Sequence, residues 1–211
     1  MSAKPASAIV LHRFALSGHC HRVELFLNML GLPFTLADVD LRNGEHRQAA
    51  FLALNGLGQV PVIEDGEVVL ADSNAILVYL AMKYGGESWL PRDPEQAAQV
   101  QRFLSIAAGE VARGPATARM IKLFGAPLDL AHAHAVAARV LGMLEQHLGA
   151  HPFLAGATRT IADLANYTYI AHAPEGGVSL DPYPNVRAWL GRIEALPGFI
   201  PMVRAPLPAA A

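Results

Sequence analysis

The dipeptide Val60-Pro61 opens a strand-like run, Val60, Val62 and Ile63, at a place where proline removes a ladder donor. X-Pro bonds are the main place where cis peptides occur. A cis bond here turns the Val60 backbone outward, so its N–H and C=O can pair with a short, extended, peptide-like ligand, as an edge strand captures a peptide. An edge-strand proline that only blocks aggregation is the plainer alternative. Asp72-Ser73 precedes an apolar helical run, where either residue serves as an ordinary N-cap. A helix N-terminus also offers N–H groups and a positive dipole end. Ser73 can then donate to a ligand carboxylate while Asp72 holds an ammonium group, which answers both charges of an amino-acid-like end. Upstream, Ser17 and Cys20 bracket the tetrad Ser17-Gly18-His19-Cys20. A serine hydroxyl is a poor redox group, but it can hydrogen-bond to a thiolate brought by a ligand, and a helix dipole favours the same charge. A turn or cap role for Ser17 is the alternative.

These residues need elements to hold them. Ala8 to Phe14 reads as a first strand, and Val23, Phe26, Leu27 and Leu30 follow at helical spacing until Gly31 and Pro33 stop the helix. Phe34 to Leu41 reads as a second strand, so the start is a right-handed βαβ unit with parallel strands. A shorter helix follows over Glu45 to Leu54, then two strands about an Asp65-Gly66 hairpin, then a helix from Ala75 to Tyr84. The order β-α-β-α-β-β-α is that of a thioredoxin-like domain, in which the loop after strand one carries the reactive centre, commonly as C-x-x-C. Here serine takes the place of the first cysteine. Beyond "GGESWLPRDP" the pattern is helical: near 94–113, 115–124, 128–148, from Thr160, and near 184–196. Asp93-Pro94-Glu95-Gln96 is a helix start, and Thr160 with Asp163 forms a second capping box. The expected division is an α/β domain at 1–85, a linker at 86–93 and an all-helical domain at 94–211.

Composition narrows the function classes. Hydrophobic residues make up 53 % and charged residues 16 % of the 211, which describes a folded globular chain. A net charge of −2 from 16 basic and 18 acidic residues gives no general attraction to nucleic acid or anionic lipid. One cysteine excludes an internal disulfide framework and a cysteine-rich zinc site, and fits a reducing, cytoplasmic setting. The apolar run before His12 and Arg13 is too short for a signal-peptide core, and no window approaches a membrane span. His19, Cys20 and His21 are too crowded for a metal site without a further ligand, and no metal is expected. His132 and His134 are expected to be exposed on different faces of a helix.

The chain resembles the cytosolic glutathione transferases, in their bacterial, serine-type form, over nearly its whole length. "LNGLGQVPVIEDGEVVLADSNAILVYLA" follows the family pattern Asn-Pro-x-Gly-x-Val-Pro, a hairpin, then Glu/Asp-Ser-x-Ala-Ile; "TIADLANY" and "YPNVRAWLGRIEALPGF" match its capping segment and final helix. The resemblance implies that Val60, beside cis-Pro61, pairs with the cysteinyl part of glutathione and that Asp72 and Ser73 hold the γ-glutamyl end. It places His46 and Arg47 at the glycine carboxylate, helped by Gln59, although these two also read as a solvated helix face. It makes Ser17 the catalytic hydroxyl, and Arg13 and Phe14 stand where tyrosine-type members carry tyrosine. Gly56 departs from the usual proline, and Arg47 replaces a point charge by a fork. A homodimer and an apolar cleft for a small hydrophobic electrophile are implied, with Arg113, Arg119, Met120 and Phe124 as candidate walls. For either arginine an ordinary surface position is the plainer reading. Two rivals stand beside transfer chemistry: a thiol–disulfide oxidoreductase or peroxidase working through Cys20, and a non-catalytic glutathione-binding protein. A buried, inert Cys20 is the better reading of that residue.

Overall fold

The computed structural model describes residues 4–205. The expected domains' outermost residues, 1–3 and 206–211, lie outside the described residues. The first half contains β1 (Ile9–Arg13), α1 (Gly18–Met29), β2 (Phe34–Asp38), a 3₁₀ turn (Glu45–Arg47), α2 (Ala49–Leu54), β3 (Val62–Asp65), β4 (Val68–Ala71) and α3 (Ser73–Leu80). Its sheet runs β2-β1-β3-β4, with β1 parallel to β2 and antiparallel to β3. This is the thioredoxin-like arrangement. The second half is all helical: α4 (Pro94–Ile106), α5 (Thr117–Phe124), α6 (Leu130–Leu148), α7 (Ile161–Ala171) and α8 (Pro184–Glu194). None of the described helices is long and apolar enough to cross a membrane.

Several expected boundaries move, each for a local reason. β2 stops at Asp38 rather than Leu41, because its partner β1 ends at Arg13, opposite Asp38. β3 starts at Val62, so Pro61 stands before the strand rather than inside it. The hairpin turn is Gly66-Glu67, since Asp65 still pairs with Val68. Asp65 is held in the strand by its side chain: Oδ2 accepts Tyr79 and Tyr84 hydroxyls at 2.7 Å and Lys83 Nζ at 2.8 Å. α3 begins two residues earlier than expected and gives way to a wider turn at Ala81–Gly85. The helix expected to break between 113 and 115 instead continues as a π-helical stretch, Ala107–Ala116. Pro115 has no N–H to give, and the Thr117 hydroxyl donates to Ala112 O at 2.9 Å within the widened turns.

The two halves share one core. α1 buries Val23, Leu25, Phe26 and Leu27, and packs against both α3 and α7. Trp89, from the segment before α4, meets Phe26 edge-on with ring centroids 5.0 Å apart. α7 is buried along ten consecutive residues, Ile161 to Ile170, as a helix surrounded by others must be. This shared burial brings α7 and α5 against the loop that follows β1.

Candidate functional site

Ser17 closes the β1–α1 loop and caps α1. Its Oγ accepts the Cys20 N–H at 3.3 Å, and its backbone is extended, with φ −86° and ψ 118°. The loop is clamped from the helical half. Leu16 O accepts Arg119 Nη1 at 2.8 Å, and Gly18 lies under the Tyr169 ring, which an added Cβ would meet at 2.8 Å. Only a residue without a side chain fits there. Above the loop opens a cleft of about 440 Å³. Phe14, Leu16, Leu41 and Tyr169 face Ala112, Ala116, Met120 and Phe124 across it, with Ser17 and Arg119 among its few polar groups. Met120 and Phe124, expected as walls, are there; Arg113 is exposed, pairs with Glu110 and does not line the cleft. Arg119 corrects the surface reading: it is buried, ion-paired with Glu175, which also bonds His172.

Cys20 sits one turn inside α1, buried, its sulfur accepting the Phe14 N–H at 3.4 Å. Burial pushes its thiol up to about 11, against the pull of the Ser17 and Phe14 hydrogen bonds. A thiol held neutral is a weak nucleophile, so the inert reading of Cys20 agrees with its surroundings.

A second cavity, about 200 Å³, adjoins the cleft, and His19 lines both. Gln59, Val60, Pro61, Asp72 and Ser73 line it. The Val60–Pro61 bond is cis, and Val60 lies outside the paired register, which begins at Val62. Asp72 caps α3 in a conformation that L residues rarely adopt, φ +71°. One carboxylate oxygen, Oδ1, accepts both the Asn74 and Ala75 N–H at 2.9 Å. The α3 N-terminus is thus less open than the sequence suggests. Asp72 takes two of its donors, leaving its other oxygen and the Ser73 N–H outside the cap. Ser73 is buried, and its Oγ lies 3.3 Å from both Arg22 Nη1 and His19 Nδ1. Burial, then the Arg22 charge, push His19 down to about 3, so its imidazole is neutral near pH 7.

His46 and Arg47 do not line this cavity. They occupy the 3₁₀ turn rather than a continuous helix, because α2 starts only at Ala49. The Asn55–Gln59 loop leans on that turn: a Cβ on Gly58, φ +60°, would strike His46 O at 2.8 Å. Asn55 ties the same loop through Nδ2 to Gln59 O at 2.8 Å. His46 Nδ1 is buried without a partner among the described residues, and Arg47 is exposed. His132 is exposed as expected, but His134 is half-buried, with Nε2 2.9 Å from Gly176 O.

Sequence reasoning missed Tyr169 and Arg22. Tyr169 lies in an apolar helix with no motif to mark it, and only the packing of α7 on α1 brings it beside Ser17. Arg22 had one legible signal: a cation on a helix whose neighbours Val23, Leu25, Phe26 and Leu27 are all core-like.

The comparisons with known proteins agree with this geometry. Residues 16–83 match the family model for the glutathione S-transferase N-terminal domain, and residues 127–197 match that for the C-terminal domain. The chain is 36 % identical to glutathione S-transferase 3 of Zea mays, over 94 % of this chain and 95 % of that one. A crystal structure of glutathione S-transferase from Pseudomonas fluorescens Pf-5 superposes with a TM-score of 0.89 at 33 % identity, covering 94 % of this chain and all of that one. A glutathione transferase homologue from Drosophila mojavensis, solved with bound glutathione, gives 0.79 at 29 % identity over 90 % and 89 % of the two chains. On its two matched domains, its relatives and its fold, the chain belongs to the glutathione S-transferase family.

Proposed function

We propose that this transferase activates the thiol of glutathione at Ser17 and directs it at a small hydrophobic electrophile held in the 440 Å³ cleft. The observation that carries this reading is the junction of the two cavities: a polar one with Val60, Asp72 and Ser73 on its wall opens beside an apolar one with Ser17 on its wall. Glutathione lies extended along the first. Val60 pairs its backbone with the cysteinyl unit beside Pro61, and Gln59 supports it from the loop. Asp72 meets the γ-glutamyl ammonium with its free oxygen, and Ser73 meets the carboxylate. His46 and Arg47, behind the Asn55–Gln59 loop, serve the glycine carboxylate. The sulfur then falls at the N-terminus of α1, where the Ser17 hydroxyl and the helix dipole stabilise a thiolate. The thiol proton passes to solvent, the sulfur lone pair forms the new S–C bond, and the electrophile's leaving group departs with the electron pair of the bond it breaks, while the apolar body displaces water from the cleft.

In this reading residues 1–85 form the glutathione-binding domain, 86–93 the linker and 94–211 the helical domain. Two copies pair, the first domain of each against the helical domain of the other. Largely exposed Leu57 and Met82 are apolar surface that such pairing covers. The single free thiol suits a reducing compartment such as the cytoplasm.

A panel of electrophiles with added glutathione, run on wild type, Ser17→Ala and Cys20→Ser, tests the assignment. Ser17→Ala is expected to lose conjugation by about 10–100-fold, the worth of one hydrogen bond to a charged group, while Cys20→Ser keeps it. Activity lost in the cysteine variant alone would move the chemistry to thiol–disulfide exchange. Glutathione binding without turnover of any electrophile would leave a binding protein.

A further inference from the structure

The new sulfur–carbon bond joins a molecule in the smaller cavity to one in the cleft, so the sulfur must stand where the two spaces meet. Among the described residues that line them, His19 alone lines both. It lies in the first turn of α1, two positions beyond the Ser17 cap. Three elements face its imidazole. Arg22 acts on it from α1 itself, Ser73 Oγ approaches from α3, and the Tyr169 ring of α7 stands edge-on with centroids 5.0 Å apart. Burial, then the Arg22 charge, keep the ring neutral near pH 7.

A neutral imidazole carries one proton, and its neighbours decide which nitrogen holds it. Arg22 Nη1 can only donate, so Ser73 Oγ, 3.3 Å away, accepts from it. The hydroxyl's own proton then turns to His19 Nδ1, also at 3.3 Å. Nδ1 accepts, and the ring proton is left on Nε2. Nε2 has no hydrogen-bond partner among the described residues, yet it is not sealed from solvent as Arg22 Nε and Nη2 are. The space open to it is that of the two cavities. We propose that His19 is a catalytic residue whose Nε2–H donates to the glutathione thiolate alongside the Ser17 hydroxyl. This rests on the glutathione reading above, with Ser73 meeting its ligand through the N–H and keeping its hydroxyl on His19. The imidazole takes no proton from the thiol, which releases it to solvent. It stays a neutral donor, and a hydrogen bond to an ionised acceptor is about twice as strong as one between neutral groups. Holding the sulfur by this bond favours the thiolate over the thiol.

Thiolate absorbance of bound glutathione, titrated with pH on wild type, His19→Leu, His19→Asn and His19→Gln, tests this. Glutamine carries an amide N–H near the reach of Nε2, and asparagine carries one near the reach of Nδ1. His19→Leu and His19→Asn are expected to raise the pKa of the bound thiol by about 1 to 2, the worth of one hydrogen bond to a charged group. His19→Gln is expected to stay within about 0.5 of wild type. S-methylglutathione has no thiol to ionise, and a thioether is a weak acceptor, so calorimetry is expected to show all four proteins binding it within about threefold. Equal thiol pKa values in wild type, His19→Leu and His19→Asn overturn the proposal. So does S-methylglutathione binding that weakens in step with the thiolate, which would make His19 a structural residue. A raised thiol pKa in Ser17→Ala alone leaves the functional reading standing without His19. No heat from glutathione with wild type overturns that reading, and this proposal with it. Should the His19 variants not fold, the ring nitrogen resonances of the wild-type protein decide. A proton on Nε2 is expected, with a resonance that moves on saturation with glutathione and stays in place with S-methylglutathione. A proton on Nδ1, or equal movement with both ligands, overturns the proposal.

Discussion

His21 shows how one side chain can carry both a contact and a pH dependence. Its Nε2 lies 2.9 Å from Ile200 O and its Nδ1 2.9 Å from Thr168 Oγ1. A carbonyl can only accept, so Nε2 carries the proton and Nδ1 accepts from the threonine hydroxyl. Burial pushes this imidazole down to about 4, with the Ile200 bond opposing and the charges of His172, Arg22 and Arg13 adding to the fall. Between the usual 6.5 and about 4, the unfolded chain therefore holds more protons than the folded one. Stability present above pH 6.5 is lost as pH falls through that window. The loss from this residue is about 3 kcal/mol at about 1.36 kcal/mol per unit. Urea midpoints measured from pH 7 to pH 4 are expected to fall less steeply for His21→Gln than for wild type. Parallel curves would assign the acid sensitivity to other groups.

At the scale of elements, the helix starts do much of the positioning, and they use different chemistry for it. α7 begins as its sequence suggests, with Thr160 and Asp163 closing a capping box, and at α4 Asp93 accepts the Gln96 N–H ahead of Pro94, but the Gln96 side chain does not return to close the expected box. Asp163 does more than cap. Oδ1 accepts the Leu154 N–H and the Trp189 indole N–H at 2.9 Å, and Oδ2 accepts the Thr160 N–H at 2.8 Å. This carboxylate ties α7 to the preceding loop and to α8 from a fully buried position. Asp163→Ala strands three donors, and a loss of about 3–5 kcal/mol is expected from unmet buried partners. Urea unfolding checks this; a loss under about 1 kcal/mol would mean that water or a neighbour meets those donors instead. α1 and α3 begin at the site itself, where the cap residues Ser17 and Asp72 are also candidate ligand contacts. For these two residues the observed cap stands beside the binding role proposed above.

At the scale of the molecule, the site exists because α7 and α5 press on the β1–α1 loop. Gly18 under Tyr169 and Leu16 O on Arg119 are contacts between the halves, and neither half alone forms the cleft. The same logic extends to the proposed pair of subunits. Sedimentation of the purified chain at micromolar concentration is expected to give twice the 22.5 kDa chain mass. Sedimentation at the single-chain mass would remove the homodimer from the reading and leave the cleft of each chain as it is.

Local chemistry by itself determined the elements and the backbone features of the edge proposed to bind glutathione. Hydrophobic spacing marked α1, the hairpin strands and the long helices, and Pro61, Asp72 and Ser73 were legible because turns and caps depend on near neighbours in the chain. The boundaries that slipped were those set by a distant partner, such as β2 ending where β1 ends, or Asp65 kept in its strand by two tyrosines and a lysine. Only tertiary structure decided the rest. Burial makes Cys20 a neutral thiol and Arg119 an interior ion pair, and packing places Tyr169 beside Ser17 and Arg22 behind Ser73. Burial and contact depend on what lies across the fold, and residues as far apart in sequence as Arg22 and Ser73, Arg119 and Glu175, or Ser17 and Tyr169 leave no local pattern to announce their meeting.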